Sequence, residues 1–349
     1  MQVEVQRDVA AVEAEWDELA ERTRAEPWAR PGWIRAWLAA FGGGTPELVA
    51  VRRDGGLAAI APLVRRAGVL RSPTNWHSPG YHLVAEDAAA RAALVEAVLE
   101  RAPRRLQLAF LPTDGGGLEE TRELGRAAGR RVLERVVQSS PYAALPAHWE
   151  AYEAERSRSL LKDVRRRRRR LEEQGEVTFD THDGADGLHA LLDELFAVEG
   201  SGWKLEQGTA IVSRPETRRF YTEVATWAAA RGWLELAFLR LDGRPLAGEL
   251  LLRVAGRTHD LKGGYDPDYR RFGPGVLLTL ELVRAAIERG DETFELLGSA
   301  DRYKLEWGEQ LRERVLVQCF APGAPGIADW AAHAYGRPAA KSILATVRR

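Results

Sequence analysis

Apolar and polar positions change their spacing several times along the first half of the chain. Apolar residues recur at helical spacing over residues 12–19 and again over 33–41, which predicts two helices. Residues 48–66 form two apolar runs around an Asp-Gly-Gly turn, the pattern of a β-hairpin. A helical pattern over 87–101 and a short strand pattern over 105–111 follow. This order of elements predicts an α/β lobe.

The same order of patterns recurs after residue 150. Residues 234–254 again give two strands around an Asp-Gly turn, and a third strand is predicted near 257–265. A helix over 275–289 and a short strand over 293–297 complete the series. The repetition predicts two α/β lobes, which we place at residues 1–145 and 146–349.

Two segments between the hairpins need separate interpretation. Residues 139–146, SSPYAALP, interrupt both periodicities with prolines and serines and are predicted to be a linker. Residues 157–175 predict a helix with an apolar stripe and a strongly basic middle, Arg165 to Arg170. These arginines either form a solvated face balanced by Glu172 and Glu173, or a phosphate-facing surface for a cofactor nucleotide or RNA.

Candidate chemistry lies in the stretch between the strand that ends near Tyr265 and the helix at 275–289. Residues 270–275, RRFGPG, fit Arg-x-x-Gly-x-Gly, and glycines let a backbone approach a diphosphate closely. The first turn of the following helix supplies unpaired N–H groups and a positive dipole end. A Walker-type loop lacks its Gly-Lys-Ser/Thr here, and a Rossmann fingerprint has Leu278 where its last glycine belongs. A tight strand-to-helix turn without a ligand remains the alternative.

Residues 155–310 resemble the CelD-type acetyltransferase domain of the GNAT superfamily, which is related to the Fem-type peptidyltransferases. The resemblance implies tandem GNAT-like α/β lobes, with mixed, mostly antiparallel sheets and flanking helices. It also implies acetyl-CoA or another acyl-CoA bound between two splayed central strands. The matching motifs are EGSGWK (199–204), FY (220–221), LDGRPLA (241–247), GYD (264–266), GPG (273–275) and DRYKLEW (301–307). The expected cofactor contacts are Tyr265, Arg270, Arg271, Phe272, Gly273, Pro274 and Gly275.

Acyl transfer to an amine needs a proton acceptor for the amine and a proton donor for the leaving thiolate. The resemblance implies direct attack and places Tyr303 as the general acid. Glu249 and Asp260 lie in predicted strands and are candidate bases, as is Glu199, while each could instead form a salt bridge. We expect Glu199, Trp203, Lys204 and Lys304 to contact the acceptor, a small-molecule or peptide amine.

The sequence lacks the residue patterns that other classes of enzyme require. The seven histidines show no metal-ligand spacing, no nucleophile elbow is present, and the single cysteine, Cys319, lies in an apolar strand pattern. The acidic N-terminus and the lack of a long apolar run predict a cytoplasmic protein without a membrane segment. Acidic Glu86 and Asp87 precede the helix of the first lobe, so we expect no cofactor there.

Three functions remain open from the sequence. An N-acyltransferase that uses acyl-CoA is the leading hypothesis. A Fem-like ligase that uses aminoacyl-tRNA shares the fold and would bind the tRNA backbone through Arg165 to Arg170, although a net charge of −1 gives no general attraction to nucleic acid. A binding protein without turnover is the third possibility.

Overall fold

The computed structural model describes residues 1–201, 208 and 210–336 of the chain. The chain divides into two compact units. Unit 1 contains Met1–Leu38, Gly42–Gln138 and the chain from Glu313 onward, and unit 2 contains Ala39–Phe41 and Ser139–Arg312. The predicted boundary at residue 145 assigned the chain after Glu313 to the second lobe, whereas this part of the chain belongs to unit 1. The functional division at that boundary stays a prediction.

Unit 1 is built mainly from antiparallel strands with helices packed on them. The long strands are rich in β-branched and alanine residues that are buried on both faces, as in β3, where residues 57–64 are all buried. The elements in chain order are β1 (Gln2–Gln6), a 3-10 turn (Val9–Ala11), α1 (Glu13–Arg22), a 3-10 turn (Pro27–Ala29), α2 (Pro31–Phe41), β2 (Thr45–Arg53), β3 (Gly56–Arg66), β4 (Val69–Arg71), β5 (Val84–Ala85), α3 (Ala88–Glu100), β6 (Arg105–Pro112), α4 (Leu118–Ala127) and β7 (Arg131–Ala144).

Unit 2 takes the last residues of β7 and continues with its own strands and helices. The elements are α5 (Trp149–Glu155), α6 (Arg158–Glu172), β8 (Val177–His182), α7 (Leu188–Gly200), a 3-10 turn (Ile211–Ser213), α8 (Pro215–Ala230), β9 (Leu234–Leu241), β10 (Arg244–Val254), β11 (Arg257–Tyr265), a 3-10 turn (Pro267–Phe272), α9 (Pro274–Arg289), β12 (Thr293–Glu295) and α10 (Arg302–Leu305). Strand β13 (Gln310–Phe320), helix α11 (Ala324–Ala331) and a π-helical turn (Ala332–Gly336) follow.

Strand order is similar in the two units. In unit 1 the neighbours run β1-β2-β3-β4-β6-β13, and in unit 2 they run β7-β12-β11-β10-β9-β8. Most pairs are antiparallel, while β4 with β6 and β11 with β12 are parallel. Each unit therefore contains one strand, two helices, a hairpin, a further strand, a helix and a parallel strand, in that order. The predicted tandem, mostly antiparallel α/β lobes are confirmed.

The predicted linker at residues 139–146 is wrong, because residues up to Ala144 belong to strand β7. Tyr142, Ala143 and Ala144 pair with β12, and the carbonyl of Pro141 accepts a hydrogen bond from the amide of Leu296 at 3.0 Å. Proline lacks only the N–H donor, so Pro141 still serves as an acceptor in the ladder. Serine and proline were therefore a poor signal for an unstructured connection here.

The predicted basic helix is confirmed as α6, and its apolar stripe fixes how it packs. Val164 and Leu171 are fully buried in the core of unit 2, where Phe272 and Leu277 also lie. The side chain of Arg168 pairs with Glu281 of α9. Helix α6 is thereby held against α9 and the turn that precedes it.

No helix among the residues that the structure describes is long and apolar enough to cross a membrane.

The thiol of Cys319 lies in strand β13 of unit 1 and is fully buried. Burial raises the pKa of this thiol to about 12, because the thiolate would lose its hydration. Only the thiolate is nucleophilic, so this residue has the properties of a structural cysteine.

We predict that native Cys319 does not react with Ellman's reagent at pH 8 and reacts stoichiometrically once guanidinium unfolds the chain. Since the folded-state pKa is raised, the buried thiol favours folding below the pKa of the unfolded thiol. This contribution is lost as the pH rises toward 12. Absorbance at 412 nm measures the reaction, and rapid labelling with an unchanged circular dichroism spectrum would contradict the assignment.

Candidate functional site

The turn between β11 and α9 positions the glycine-rich segment. The carboxylate of Asp266 caps the 3-10 turn by accepting the amide of Asp268 at 3.0 Å, and Arg244 pairs with the same carboxylate. The turn ends at Gly273, whose φ of 62° is in the left-handed region that glycine adopts without strain. Pro274 then starts α9 at a position where its missing N–H is not needed. The local sequence therefore dictates a sharp turn directly into a long helix.

The N-terminus of α9 has backbone donors available for a ligand. The amide of Leu277 bonds to the carbonyl of Gly273, so the amides of Gly275 and Val276 precede the first intrahelical bond. Within the described part of the chain, no side chain caps this helix. A Cβ at Gly275 would make only an ordinary contact, 3.5 Å from the ring of Tyr265. The backbone here is accessible, and its donors and dipole favour an anion.

The corresponding helix of unit 1 differs at this point. Asp87 precedes α3, and its carboxylate accepts the amide of Ala90 at 2.8 Å. Hydrogen bonding from Arg53, aided by the backbone donors, lowers the pKa of Asp87 to about 2. The anion position of α3 is thus filled by a side chain of the protein itself. The expectation that the first lobe binds no cofactor has this physical basis and stays a prediction.

The predicted cofactor-loop residues are spread over the surface and the core. Tyr265, Arg270 and Arg271 are exposed, and the guanidinium carbon of Arg271 lies 4.6 Å from the centre of the Phe272 ring. Phe272, Gly273 and Pro274 are buried and Gly275 is partly buried. Phe272 therefore anchors the turn, while the tyrosine, the arginines and the backbone of Gly275 line its accessible side.

Strands β11 and β12 separate beside this turn. They pair only from Arg257–His259 to Thr293–Glu295, although β11 continues to Tyr265 against β10. Beyond β12 the chain stays with β7, since Ser140 donates to the carbonyl of Gly298. The pairing register of β11 shifts at Leu261, which places one extra residue in that strand. The resemblance implied two splayed central strands, and β11 and β12 part in this way.

The three predicted catalytic residues are brought together at this separation. Glu249 of β10 lies opposite Gly263 of β11, and a Cβ at Gly263 would collide with the Glu249 carboxylate. Desolvation raises the pKa of the Tyr303 phenol well above its ordinary value, and the charges of Asp260 and Glu249 raise it further. Both carboxylates therefore lie close enough to Tyr303 for their charges to disfavour the phenolate, and the phenol stays protonated at neutral pH.

Two predicted acceptor contacts have other partners in the structure. Glu199 is buried at the end of α7, where its carboxylate accepts the amide of Ile211 at 2.8 Å and lies 3.3 Å from the ammonium of Lys262. The ammonium of Lys304 donates to the carbonyls of Leu296 and Leu297 at 3.0 and 2.8 Å. Glu199 and Lys304 thus hold the two sides of the strand separation. Trp203 and Lys204 lie outside the described residues, and their contact with an acceptor stays a prediction.

Several residues at this site had no clear sequence signal of their own. Arg167 lies against Gly273, and Lys262 follows the bulge at Leu261. Adjacent glycines at 263 and 264 were the available clue, because a glycine pair inside a strand signals close approach by other groups. A Cβ at Gly264 would meet the backbone of Glu199 at 2.7 Å. In the described residues no group of histidine, cysteine and carboxylate side chains could hold a metal ion.

We predict that Asp260→Asn and Glu249→Gln each lower the pKa of Tyr303, because each removes a negative charge that disfavours the phenolate. Carbon-13 NMR of labelled tyrosine rings measures the titration, and Tyr303→Phe assigns the resonance. Glu306→Gln, an exposed change on the same segment, serves as the control. An unchanged pKa in both variants would contradict the proximity of these groups.

The chain is similar to known proteins in two ways, in sequence over residues 158–305 and in fold over most of its length. Residues 158–305 match the family profile described as an acetyltransferase (GNAT) domain. No curated protein matches the chain.

Solved structures share the architecture across both units at low sequence identity. The C-terminal domain of a protein from Agrobacterium fabrum, assigned as a lysylphosphatidylglycerol synthetase, is 15% identical with a TM-score of 0.59, over 93% of this chain and 96% of that one. FemX is 13% identical with a TM-score of 0.58, over 91% and 97% of the two chains. At these identities the likeness shows the fold alone. The profile match shows that residues 158–305 are similar to GNAT-type acetyltransferase domains.

Proposed function

We propose that the GNAT-type domain transfers an acetyl or other acyl group from acyl-CoA to an amine acceptor by direct attack. The observation that carries this proposal is the start of α9, which no side chain of the described residues caps and which lies beside the separation of β11 and β12. An anion site and a gap between strands are the two features that a diphosphate-linked thioester requires. The finer CelD-type assignment rests on the sequence resemblance.

The donor would be held by groups that the chain already presents. The amides of Gly275 and Val276 would bind the diphosphate of acyl-CoA, and the exposed Arg270 supplies positive charge beside them. The thioester would then lie toward the gap between β11 and β12. A backbone N–H next to the bulge at Leu261 is the candidate donor for the oxyanion. Bound acyl-CoA supplies the activated acyl carbon.

The side chains across the gap supply the proton transfers. Glu249 or Asp260 would accept a proton from the amine, whose nitrogen forms a bond to the acyl carbon as the carbon–sulfur bond breaks. Tyr303 would donate a proton to the departing thiolate. The attacking amine is neutral, so one proton passes to the carboxylate and one from the phenol to the thiolate. The raised pKa keeps the phenol protonated at neutral pH, and the carboxylate that takes the amine's proton loses one of the charges that raise this pKa.

We predict that Gly275→Leu abolishes the thermal stabilisation produced by acyl-CoA, since a side chain would occupy the space through which a phosphate reaches the backbone. The unliganded variant should melt near the wild-type temperature, because residue 275 is helical and its Cβ position is free of close contacts. A native-state ligand raises the melting temperature in proportion to its binding free energy, which makes differential scanning fluorimetry the measurement.

The matched control is Ala89→Leu, which places the same new side chain at the second residue of α3 in unit 1, where Ala89 is exposed. This variant should keep the full response to acyl-CoA. An unaltered response in Gly275→Leu would remove the donor site from α9, and no response of the wild type to any acyl-CoA would refute the proposed donor.

We predict that Tyr303→Phe lowers kcat by about 10²-fold or more while the dissociation constant for acyl-CoA stays within about twofold, since only the proton donor is lost. Release of the free thiol measures the rate, once mass spectrometry of acceptor pools has found an amine that is acylated. Tyr335→Phe, an exposed tyrosine outside unit 2, is the control. A wild-type rate in Tyr303→Phe would exclude the phenol as the general acid.

A Fem-like ligase that uses aminoacyl-tRNA is the second candidate, and the exposed side of α6 favours it. The side chains of Arg165 and Arg169 are 71% and 74% exposed, and Arg158, Lys162 and Arg166 line the same shallow groove of about 670 Å³. Substituting Arg165, Arg166 and Arg169 with glutamine should then weaken RNA binding and flatten its salt dependence. If the protein binds acyl-CoA but does not bind RNA above background, the ligase proposal is refuted and the acyltransferase proposal stands.

A further inference from the structure

Helix α6 directs one arginine inward, toward the turn that opens α9. Arg167 lies three residues after the buried Val164 and four before the buried Leu171, so it shares their side of the helix. Its Nη1 atom is 2.6 Å from the position that a Cβ on Gly273 would take, and its Cδ is 3.2 Å away. The guanidinium therefore rests on the backbone of the turn, in space left by a glycine.

The charge around Arg167 is unbalanced. Its Nε donates to the carboxylate of Asp163, but Arg166 also pairs with that carboxylate, so two cations share one anion. The hydrogen bond from Arg167 lowers the pKa of Asp163, which is therefore ionised at neutral pH. A guanidinium carries only donors and cannot accept from the amides of Gly275 and Val276. Hydrogen-bond donors from the start of α9 and from the side chain of Arg167 therefore lie at the same turn. This arrangement suits a ligand whose polar atoms are all hydrogen-bond acceptors.

Unit 1 contains the paired form of the same arrangement. The carboxylate before α3 belongs to Asp87, which accepts the helix amide of Ala90 and two bonds from the guanidinium of Arg53. One anion there serves a helix start and an arginine together. In unit 2 the helix start and the arginine are both present, and glycine replaces the acidic residue.

We propose that Arg167 binds a phosphate oxygen of the donor, bridging it with the amides of α9 as Arg53 and α3 share the carboxylate of Asp87. This proposal rests on the proposed acyl-CoA function and adds a determinant outside the strand–turn–helix motif. On this proposal the protein selects acyl donors by their phosphate groups. The glycine at position 273 then leaves the space in which Arg167 reaches the phosphate. A donor without phosphate groups gains nothing from Arg167.

The test compares Arg167→Gln with Arg284→Gln, a matched change at an exposed arginine in the second half of α9 that also pairs with a carboxylate one helical turn away. Isothermal titration with coenzyme A, 4′-phosphopantetheine and pantetheine separates the phosphate contacts from the rest of the ligand. Arg167→Gln should weaken coenzyme A binding by about 10-fold or more, the usual effect of losing one charge-assisted hydrogen bond. Pantetheine affinity should stay unchanged, and Arg284→Gln should affect none of the three ligands.

A second variant distinguishes a phosphate contact from mere support of the turn. Arg167→Lys keeps the charge, so it should recover part of the affinity and keep the wild-type dependence of coenzyme A binding on salt, while Arg167→Gln shows a shallower slope. Arg167→Lys also carries the test if Arg167→Gln does not fold.

Three results would overturn the inference: unchanged affinity in Arg167→Gln, equal losses for coenzyme A and pantetheine, or a lysine variant as weak as the glutamine variant with the same salt slope. Failure of wild-type protein to bind coenzyme A would instead refute the proposed function itself.

Discussion

Every α-helix begins with backbone N–H groups that its own hydrogen bonds do not satisfy, and the two units meet this constraint differently. In unit 1 the carboxylate of Asp87 accepts from the start of α3 and is held by Arg53. In unit 2 a left-handed glycine leads straight into α9, without a capping side chain among the described residues. The protein thus fills one helix start with its own carboxylate, and its described residues leave the other start without a side-chain cap. The two units have the same order of elements and differ here in one residue, which is Asp87 before α3 and Gly273 before α9.

The geometry beside the open helix depends on β11, which has different neighbours along its length. Its first residues, 257–259, pair with both β12 and β10. Its later residues, up to Tyr265, pair with β10. Glycines at 263 and 264 allow Glu249 and the end of α7 to approach that strand closely. The buried Glu199 and the ammonium of Lys304 hold the surrounding backbone by charge-assisted hydrogen bonds. This support surrounds the three catalytic candidates Tyr303, Glu249 and Asp260, none of which is fully buried.

Helix α6 shows that a run of like charges can serve two environments. Val164 and Leu171 anchor the helix in the core, and the helical period of 3.6 residues then assigns each arginine to a side. Arg168 reaches Glu281 of α9, Arg167 reaches Gly273, and Arg165 and Arg169 stay exposed. The arginines of this run are therefore divided between the exposed side of α6 and the side that faces α9 and its turn, and a phosphate-binding role for them stays a proposal.

The sequence by itself determined the elements and much of the loop. Periodicity located both hairpins, the long helices and the basic helix, because the alternation of apolar residues follows directly from strand and helix geometry. The glycine-rich motif placed the turn before α9, for which local chemistry was sufficient. The resemblance suggested Tyr303 as the general acid, and the residue patterns suggested Glu249, Asp260 and Glu199 as bases, roles that stay predictions.

Only the tertiary structure decided which distant groups meet. Residues 139–144 became part of a strand because β12 offered a pairing partner, although their local composition suggested a linker. Pairing also returned the chain after Glu313 to unit 1, through the contact of β13 with β6. The contact of Arg167 with Gly273 joins residues about a hundred positions apart. Such contacts depend on how buried faces pack together, and no periodicity along the chain records them.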